Sequence, residues 1–417
     1  MLVYVLNRHG KPLMPCRPAK ARILLKEKKA VVVKLEPFTI RLVFGSSGYR
    51  QKTFLGIDAG SKHIGVSVTT EQKEVFAAEV EVRNDIVKKL AGRREARRTR
   101  RNRLRYRKPR FNNRVHAKKK GWIAPSIQHK VETHLKLVEK ICKILPIYRI
   151  VVEVASFDIQ KIKNPAVQGV EYQQGEQLNF WNVREYVLFR DGHTCQCCKG
   201  KSKDKILNVH HIESRQIGGN APNNLITLCE TCHKNYHRGE LELPTTIRRG
   251  MKFKDSAFMG IMRWAFYNRL KSYCEERQIA CSLTYGYRTK HMRIVAGLPK
   301  THCVDARCIS GNPLAIPSDT YFYCKKVRRN NRQMYKANLL KGGIVKPNQA
   351  PFIVHGYRLF DKVRFKNKLY YIFSRRQRGD FDIRTLDGTK VNKGSVSWKK
   401  MMLVQKRTTW LIERRPA

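Results

Sequence analysis

Apolar positions change their period several times along the 417 residues, and each change marks an element. At the start, VYVLN reads as a strand and RHGKP as a turn, and PAKARILLKEKKA reads as a short helix opened by Pro18. VVVKLEP and FTIRLVF follow as two more strands, and GSSGYRQ is a linker. TFLGIDAG, KHIGVSVTT and KEVFAAEVEV are short, β-branched and separated by turn residues, which predicts an antiparallel meander. IQHKVETHLKLVEKICKIL then sets Ile127, Val131, Leu135, Val138, Ile141, Cys142 and Leu145 at helical spacing, and Pro146 stops it. YRIVVEVASF has the unbroken apolar character of a buried strand. Further on, SAFMGIMRWAFYNRLKSYCEERQ predicts a helix, IACSLTYGY a strand, and THCVDARCIS a helix capped by Thr301. YRLFDKVRF, KLYYIFSRR, FDIRTLDG and SVSWKKMMLV close the chain as short strands of a small β-rich domain.

Charge changes this picture more than composition does. Hydrophobic residues at 41% fit a globular chain, but 86 Lys+Arg face 32 Asp+Glu, a formal net charge of +54. Such a chain repels itself unless a polyanion neutralises it, which points to nucleic acid. An anionic membrane surface is the alternative, and it fits poorly. No stretch is long and apolar enough to span, and no basic amphipathic helix ends in bulky apolar anchors. MLVYVLNRHG lacks the parts of a secretory signal, so a cytoplasmic location in a prokaryotic cell is expected, with the cysteines reduced or metal-bound. The charge is concentrated between Arg93 and Lys120, where fifteen of twenty-eight residues are Lys or Arg and only Glu95 is acidic. Without Pro or Gly before Pro109, its first part predicts a basic helix, with Arg97, Arg98, Arg101 and Arg105 on one face.

Cys195 and Cys198 form one C-x-x-C and Cys229 and Cys232 a second, the ligand type and spacing of a tetrahedral structural Zn²⁺. Cys197 lies inside the first pair, and spacing favours Cys198 over it without deciding between them. Four thiolates would close the zinc sphere and leave His210, His211, His233 and His237 for other work. VHHI, then Asn224 before Leu225, then His233 directly after Cys232, resembles the HNH endonuclease motif in its cysteine-stapled form. That resemblance implies a β-hairpin and helix holding one divalent ion, with His211 as general base and Asn224 orienting it. It also implies His210 and His233 as metal ligands. An imidazole with a pKa of ~6.5 suits the base role at neutral pH. His237, one helical turn after His233, is left as a ligand or an exposed residue. A zinc ribbon that only binds DNA would leave the paired histidines and Asn224 without a role.

A second set of acids is spread along the chain. Asp58 ends an apolar strand between glycines, Glu153 lies near the end of another, and Asp305 follows His302 by three residues. Three converging acids make a site for Mg²⁺, and two ions bridging a phosphate would activate water and stabilise the leaving oxygen. The order of strands and helices resembles the ribonuclease H-like fold. An actin-like ATPase shares that fold and the GIDxG start, but no second phosphate loop or adenosine motif supports it. HCVDAR and Glu153 resemble a RuvC nuclease, which implies Asp58, Glu153 and Asp305 as metal ligands and His302 as an assisting residue.

A RuvC core split in three, an Arg-rich helix after its first part, an HNH insertion before its third, and PLMP at Pro12 to Pro15 together resemble the IscB family. These are transposon-encoded, RNA-guided nucleases related to the ancestor of type II CRISPR effectors. The resemblance implies an α/β multidomain protein. Its parts would be a PLMP domain at 1–50, RuvC segments at 51–85, 121–165 and 251–318, and a bridge helix at 86–120. An HNH domain with its four-cysteine zinc site would occupy 166–250, and a β-rich domain reading a target-adjacent motif 319–417. The partners implied are a structured guide RNA (omega RNA), contacted by Arg93, Arg94, Arg97, Arg98, Arg101 and Arg105, and double-stranded target DNA. No membrane partner is expected, and the protein would be a monomer within its ribonucleoprotein. The HNH site would cut the RNA-paired strand and the RuvC site the displaced one. A protein-only homing-type endonuclease is distinguished by needing no RNA. A guided binder with damaged sites is distinguished by making no cuts in Mg²⁺.

Overall fold

In the computed structural model, residues 2–46, 48–104, 123–154, 182–213, 222–244, 254–328 and 351–417 are described. The chain divides into two compact units, Met1–Ala155 with Met259–Ala417, and Ser156–Phe258.

The first unit opens with β1 (Tyr4–Leu6), α1 (Pro18–Lys26), β2 (Ala30–Lys34) and β3 (Thr39–Leu42), a three-stranded sheet of order β1-β3-β2. Pro18 sits in the first turn of α1, where its missing N–H costs nothing. The predicted meander follows as β4 (Phe54–Asp58), β5 (His63–Thr69) and β6 (Glu74–Glu81), each antiparallel to the next. The basic segment forms α2 (Ile86–Leu104); Arg105 and the remainder to Lys120 lie outside the described residues. Next come α3 (Pro125–Cys142) and β7 (Arg149–Val154), the latter parallel to β4.

The second unit contributes α4 (Val183–Arg190), the hairpin β8 (Leu207–His211) and β9 (Leu225–Cys229), and α5 (Glu230–Arg238). Asn182 caps α4 by accepting from the Glu185 backbone N–H at 3.0 Å, and Gly239 ends α5 in the left-handed conformation at φ 79°.

The chain then runs through α6 (Lys254–Glu275), β10 (Ala280–Tyr285), α7 (Gly286–Val295), α8 (His302–Ile309) and β11 (Thr320–Lys326). As predicted, Thr301 caps α8, its hydroxyl accepting from the Val304 N–H at 3.2 Å. The remaining strands are β12 (Lys362–Phe365), β13 (Lys368–Arg375), β14 (Asp380–Arg384), β15 (Val396–Ser397), β16 (Met402–Gln405) and β17 (Trp410–Pro416). Strands β12 to β16 make one five-stranded sheet over a core of Val363, Ile372, Phe381 and Ile383. The segment 319–417 is not one β domain, however. Its first and last strands, β11 and β17, complete a seven-stranded sheet of order β10-β7-β4-β5-β6-β11-β17. β17 returns to lie antiparallel to β11, a pairing that seals Leu411 and Trp410 from water.

Leu55, Ile57, Ile64, Val66, Val68, Val80, Ile150 and Val152 are all within 1% of full burial and form the middle of that sheet. Helix α8 lies directly on it. Two glycines permit the approach: a Cβ on Gly56 would meet the Ala306 carbonyl oxygen at 1.9 Å, and one on Gly65 the His302 carbonyl oxygen at 2.0 Å.

Candidate active sites

In the first unit the sheet delivers Asp58 from the end of β4 and Glu153 from β7 beside it. The first turn of α8 adds His302 and Asp305. His302 Nδ1 lies 2.7 Å from Asp58 Oδ2, and this hydrogen bond raises the imidazole pKa. Arg263 on α6 lies between the two strand acids. Its Nη1 is 3.0 Å from Glu153 Oε1, its Nη2 is 3.7 Å from Asp58 Oδ1, and its Nε donates to the Ala59 carbonyl at 2.9 Å. Arg293 Nε lies 2.9 Å from Asp305 Oδ1. Burial pushes the carboxyls of Glu153 and Asp305 upward, Asp58 adds to both shifts, and the arginines oppose them.

The predicted acids therefore do converge on one end of the sheet, but each is held by a guanidinium. Asp58, Glu153 and Asp305 are not among the described groups whose ligand atoms all lie within 4.8 Å of one another. Two guanidiniums face three carboxyls at this end of the sheet, so the arginines do not fully balance the acids. Neither arginine stands out in the sequence, because a lone Arg on a helix has no motif.

In the second unit the four predicted thiols meet. Ligand atoms of Cys195, Cys198, Cys229 and Cys232 all lie within 4.8 Å, and the Cys198 and Cys229 sulfurs are 3.7 Å apart. Four sulfurs at about 2.3 Å from one Zn²⁺ in tetrahedral array would be about 3.8 Å apart, so the cluster is compatible with zinc. Cys198, not Cys197, belongs to it; the Cys197 thiol stands aside with its pKa pushed up to about 11 by burial first and then the neighbouring sulfurs.

Next to the thiols, ring nitrogens of His210, His233 and His237 form a second cluster within 4.8 Å. His233 and His237 are one turn apart on α5, and His210 reaches them from β8. His210 is buried, and its Nε2 lacks a hydrogen-bond partner. Burial first, then the other histidines, lowers its pKa to about 4, which keeps it neutral and ready to ligate. A buried, neutral imidazole with an orphaned nitrogen among two more imidazoles fits a metal ion. His211 lies outside the cluster because neighbouring residues on a strand face opposite sides.

Asn224 is buried in the turn immediately before β9. Its Oδ1 accepts from the Glu213 N–H at 2.8 Å, and its Nδ2 donates to the Glu213 carbonyl at 3.0 Å. The amide thus fixes the backbone two residues beyond His211. Arg190 on α4, which no motif marks, steadies the same loop by donating to the carbonyls of Pro222 at 2.7 Å and Leu225 at 2.9 Å.

This hairpin, helix and ligand set agree with the family comparison, in which residues 195–239 match the model for HNH endonuclease. The chain carries an HNH endonuclease domain. Residues 3–175 match the family described as RRXRR protein, and Arg97 to Arg101 spell that pattern on α2. Among curated proteins, Anaredoxin of Nostoc sp. (strain PCC 7120) is 35% identical over 63 residues, which are 15% of this chain and 79% of that protein. Over that segment the two belong to one family. Among solved structures, Streptococcus thermophilus Cas9 in complex with the GGAA PAM has 14% identity and a TM-score of 0.38, covering 52% of this chain and 30% of that one. The same protein with the AGAA PAM has 13% identity and a TM-score of 0.35, covering 63% and 32%. This HNH-containing chain thus spans about a third of the length of those Cas9 chains.

Proposed function

We propose that the protein is an RNA-guided DNA endonuclease of the IscB type with a ribonuclease H-like RuvC core. Its HNH site cuts the RNA-paired strand and its RuvC site the displaced strand. The observation that carries this reading is that the acids Asp58, Glu153 and Asp305 lie in one compact unit and the histidines His210, His233 and His237 in the other. A net charge of +54 supports a nucleic-acid partner on the scale of a structured guide RNA with its DNA target.

In the HNH unit, His210, His233 and His237 would hold one divalent ion. His211 takes the proton of the attacking water, and Asn224 keeps the His211 loop in place. In the RuvC unit, Asp58, Glu153 and Asp305 would hold Mg²⁺, two ions in this reading, and His302 handles a proton while braced by Asp58. When bound, these ions supply stabilisation of the charge that builds on the phosphate and the leaving oxygen. Arg93, Arg94 and Arg97, exposed on α2, contact the RNA backbone, and the β12–β16 sheet reads the motif beside the target.

Strand-labelled cleavage tests the division of labour. Asp58→Ala should still nick the RNA-paired strand and His211→Ala the displaced strand, each losing at least ~10²-fold on the other. Identical products from the two variants would overturn it.

A further inference from the structure

His63 begins β5, Glu79 lies on the neighbouring strand β6, and His302 opens α8 above them. A ring nitrogen of each histidine and a carboxylate oxygen of Glu79 all lie within 4.8 Å of one another. His63 Nδ1 is buried and 2.9 Å from Glu79 Oε1, yet it makes no hydrogen bond. Two atoms on adjacent positions of one ion need no proton between them, and with bonds of about 2.1 Å at right angles they lie about 3.0 Å apart.

His302 adds a second indication. Its ring stacks parallel to that of His63, with centroids 5.5 Å apart and 6° between the planes. Its Nδ1 is already taken by Asp58 Oδ2 at 2.7 Å. A carboxylate that fixes one imidazole nitrogen in this way is the usual companion of a histidine whose other nitrogen binds metal. Side-chain exposures of 36%, 21% and 43% for His63, Glu79 and His302 leave a route for an ion from solvent.

We propose that His63, Glu79 and His302 form a site for a transition-metal dication, separate from the Asp58, Glu153 and Asp305 acids. Two imidazoles and one carboxylate suit Zn²⁺, Co²⁺ or Ni²⁺, whereas three carboxylates suit Mg²⁺. The two sites are thus sorted by ligand softness and meet at the His302–Asp58 hydrogen bond. On the function proposed above, an ion on His302 takes away the group that handles the proton, and so suppresses cutting of the displaced strand.

Co²⁺ is the probe. The full-length protein, zinc-loaded at its thiols and carrying His233→Ala and His237→Ala to remove the histidine cluster of the HNH domain, is titrated in excess Mg²⁺. Equilibrium dialysis and the visible Co²⁺ spectrum are read together. One Co²⁺ per chain, with no thiolate charge-transfer band, is the expected result. Glu79→Gln and His63→Gln should each weaken it at least tenfold without changing the melting temperature. No Co²⁺ bound in the parent protein, or equal affinity in both folded variants, would overturn the site. Cutting of the displaced strand should fall at least fivefold at Co²⁺ saturation. Binding without that fall supports the site and contradicts the hydrolytic role of His302 instead.

Discussion

A methyl group on Gly65 would lie 2.0 Å from the His302 carbonyl oxygen, closer than a Cβ can approach backbone. Gly65→Ala should therefore lift the start of α8 from the sheet at a cost of about 1–3 kcal/mol and separate His302 from Asp58. The expected outcome is a lower melting temperature together with loss of displaced-strand cutting, while the HNH cut persists. Unchanged melting and cutting would contradict the packing argument. His237 gives a second prediction. If it ligates, His237→Ala should lose paired-strand cutting at low metal and regain much of it at high metal, whereas His211→Ala stays inactive throughout. A metal titration of the two variants separates the roles. Asp58, Glu153, His302, Asp305 and the histidines of the HNH domain are legible in the sequence because each sits in a short local pattern. The arginines around them are not, since Arg263, Arg293 and Arg190 are three among 86 Lys+Arg and act only through contacts remote in sequence. His237 and the choice of Cys198 over Cys197 needed distances, because spacing alone fits either reading.

Among the elements, the hairpin β8–β9 and helix α5 have little apolar material, and the cysteines themselves supply much of their core. Metal binding at such a site is folding free energy, on the order of 10 kcal/mol for small zinc modules. Cys229→Ser, or removal of zinc by a chelator, should unfold the Ser156–Phe258 unit and leave the other unit's melting transition in place. Zinc content and calorimetry check this, and a single transition shifted as a whole would contradict it. The elements read from periodicity are present, down to the Thr301 cap, but α4, α7, β11 and β17 are not legible from it. Nor is the return of β17 to the central sheet: its partner β11 lies some ninety residues earlier, and alternation within a strand says nothing about which strand it pairs with.

At the scale of the molecule, the net charge of +54 has structural consequences in the first unit. A cavity of about 1120 Å³ is lined by Lys34, Arg83, Lys136, Lys140, Lys143 and Lys326 among others. Burial first, and then neighbouring lysines, lowers both Lys34 and Lys326 to about 8. A lysine lowered in the folded state costs stability when charged, so the free protein should gain stability as pH rises through 8. A polyanion in the groove favours the charged form, and its binding should therefore take up protons near pH 8. Titration calorimetry in two buffers of different ionisation heat reads that uptake directly; equal heats would mean that this groove does not hold phosphates.

Guidance by RNA is tested on the protein purified with whatever RNA it carries. The protein is expressed with the DNA that flanks its own gene and purified, and the RNA it protects from nuclease is sequenced. The expected result is a single RNA with one structured body and one short free segment, and cutting of a DNA duplex that matches that segment. Random cellular RNA, with DNA cut whether or not RNA is present, would contradict it and leave two protein-directed nuclease sites.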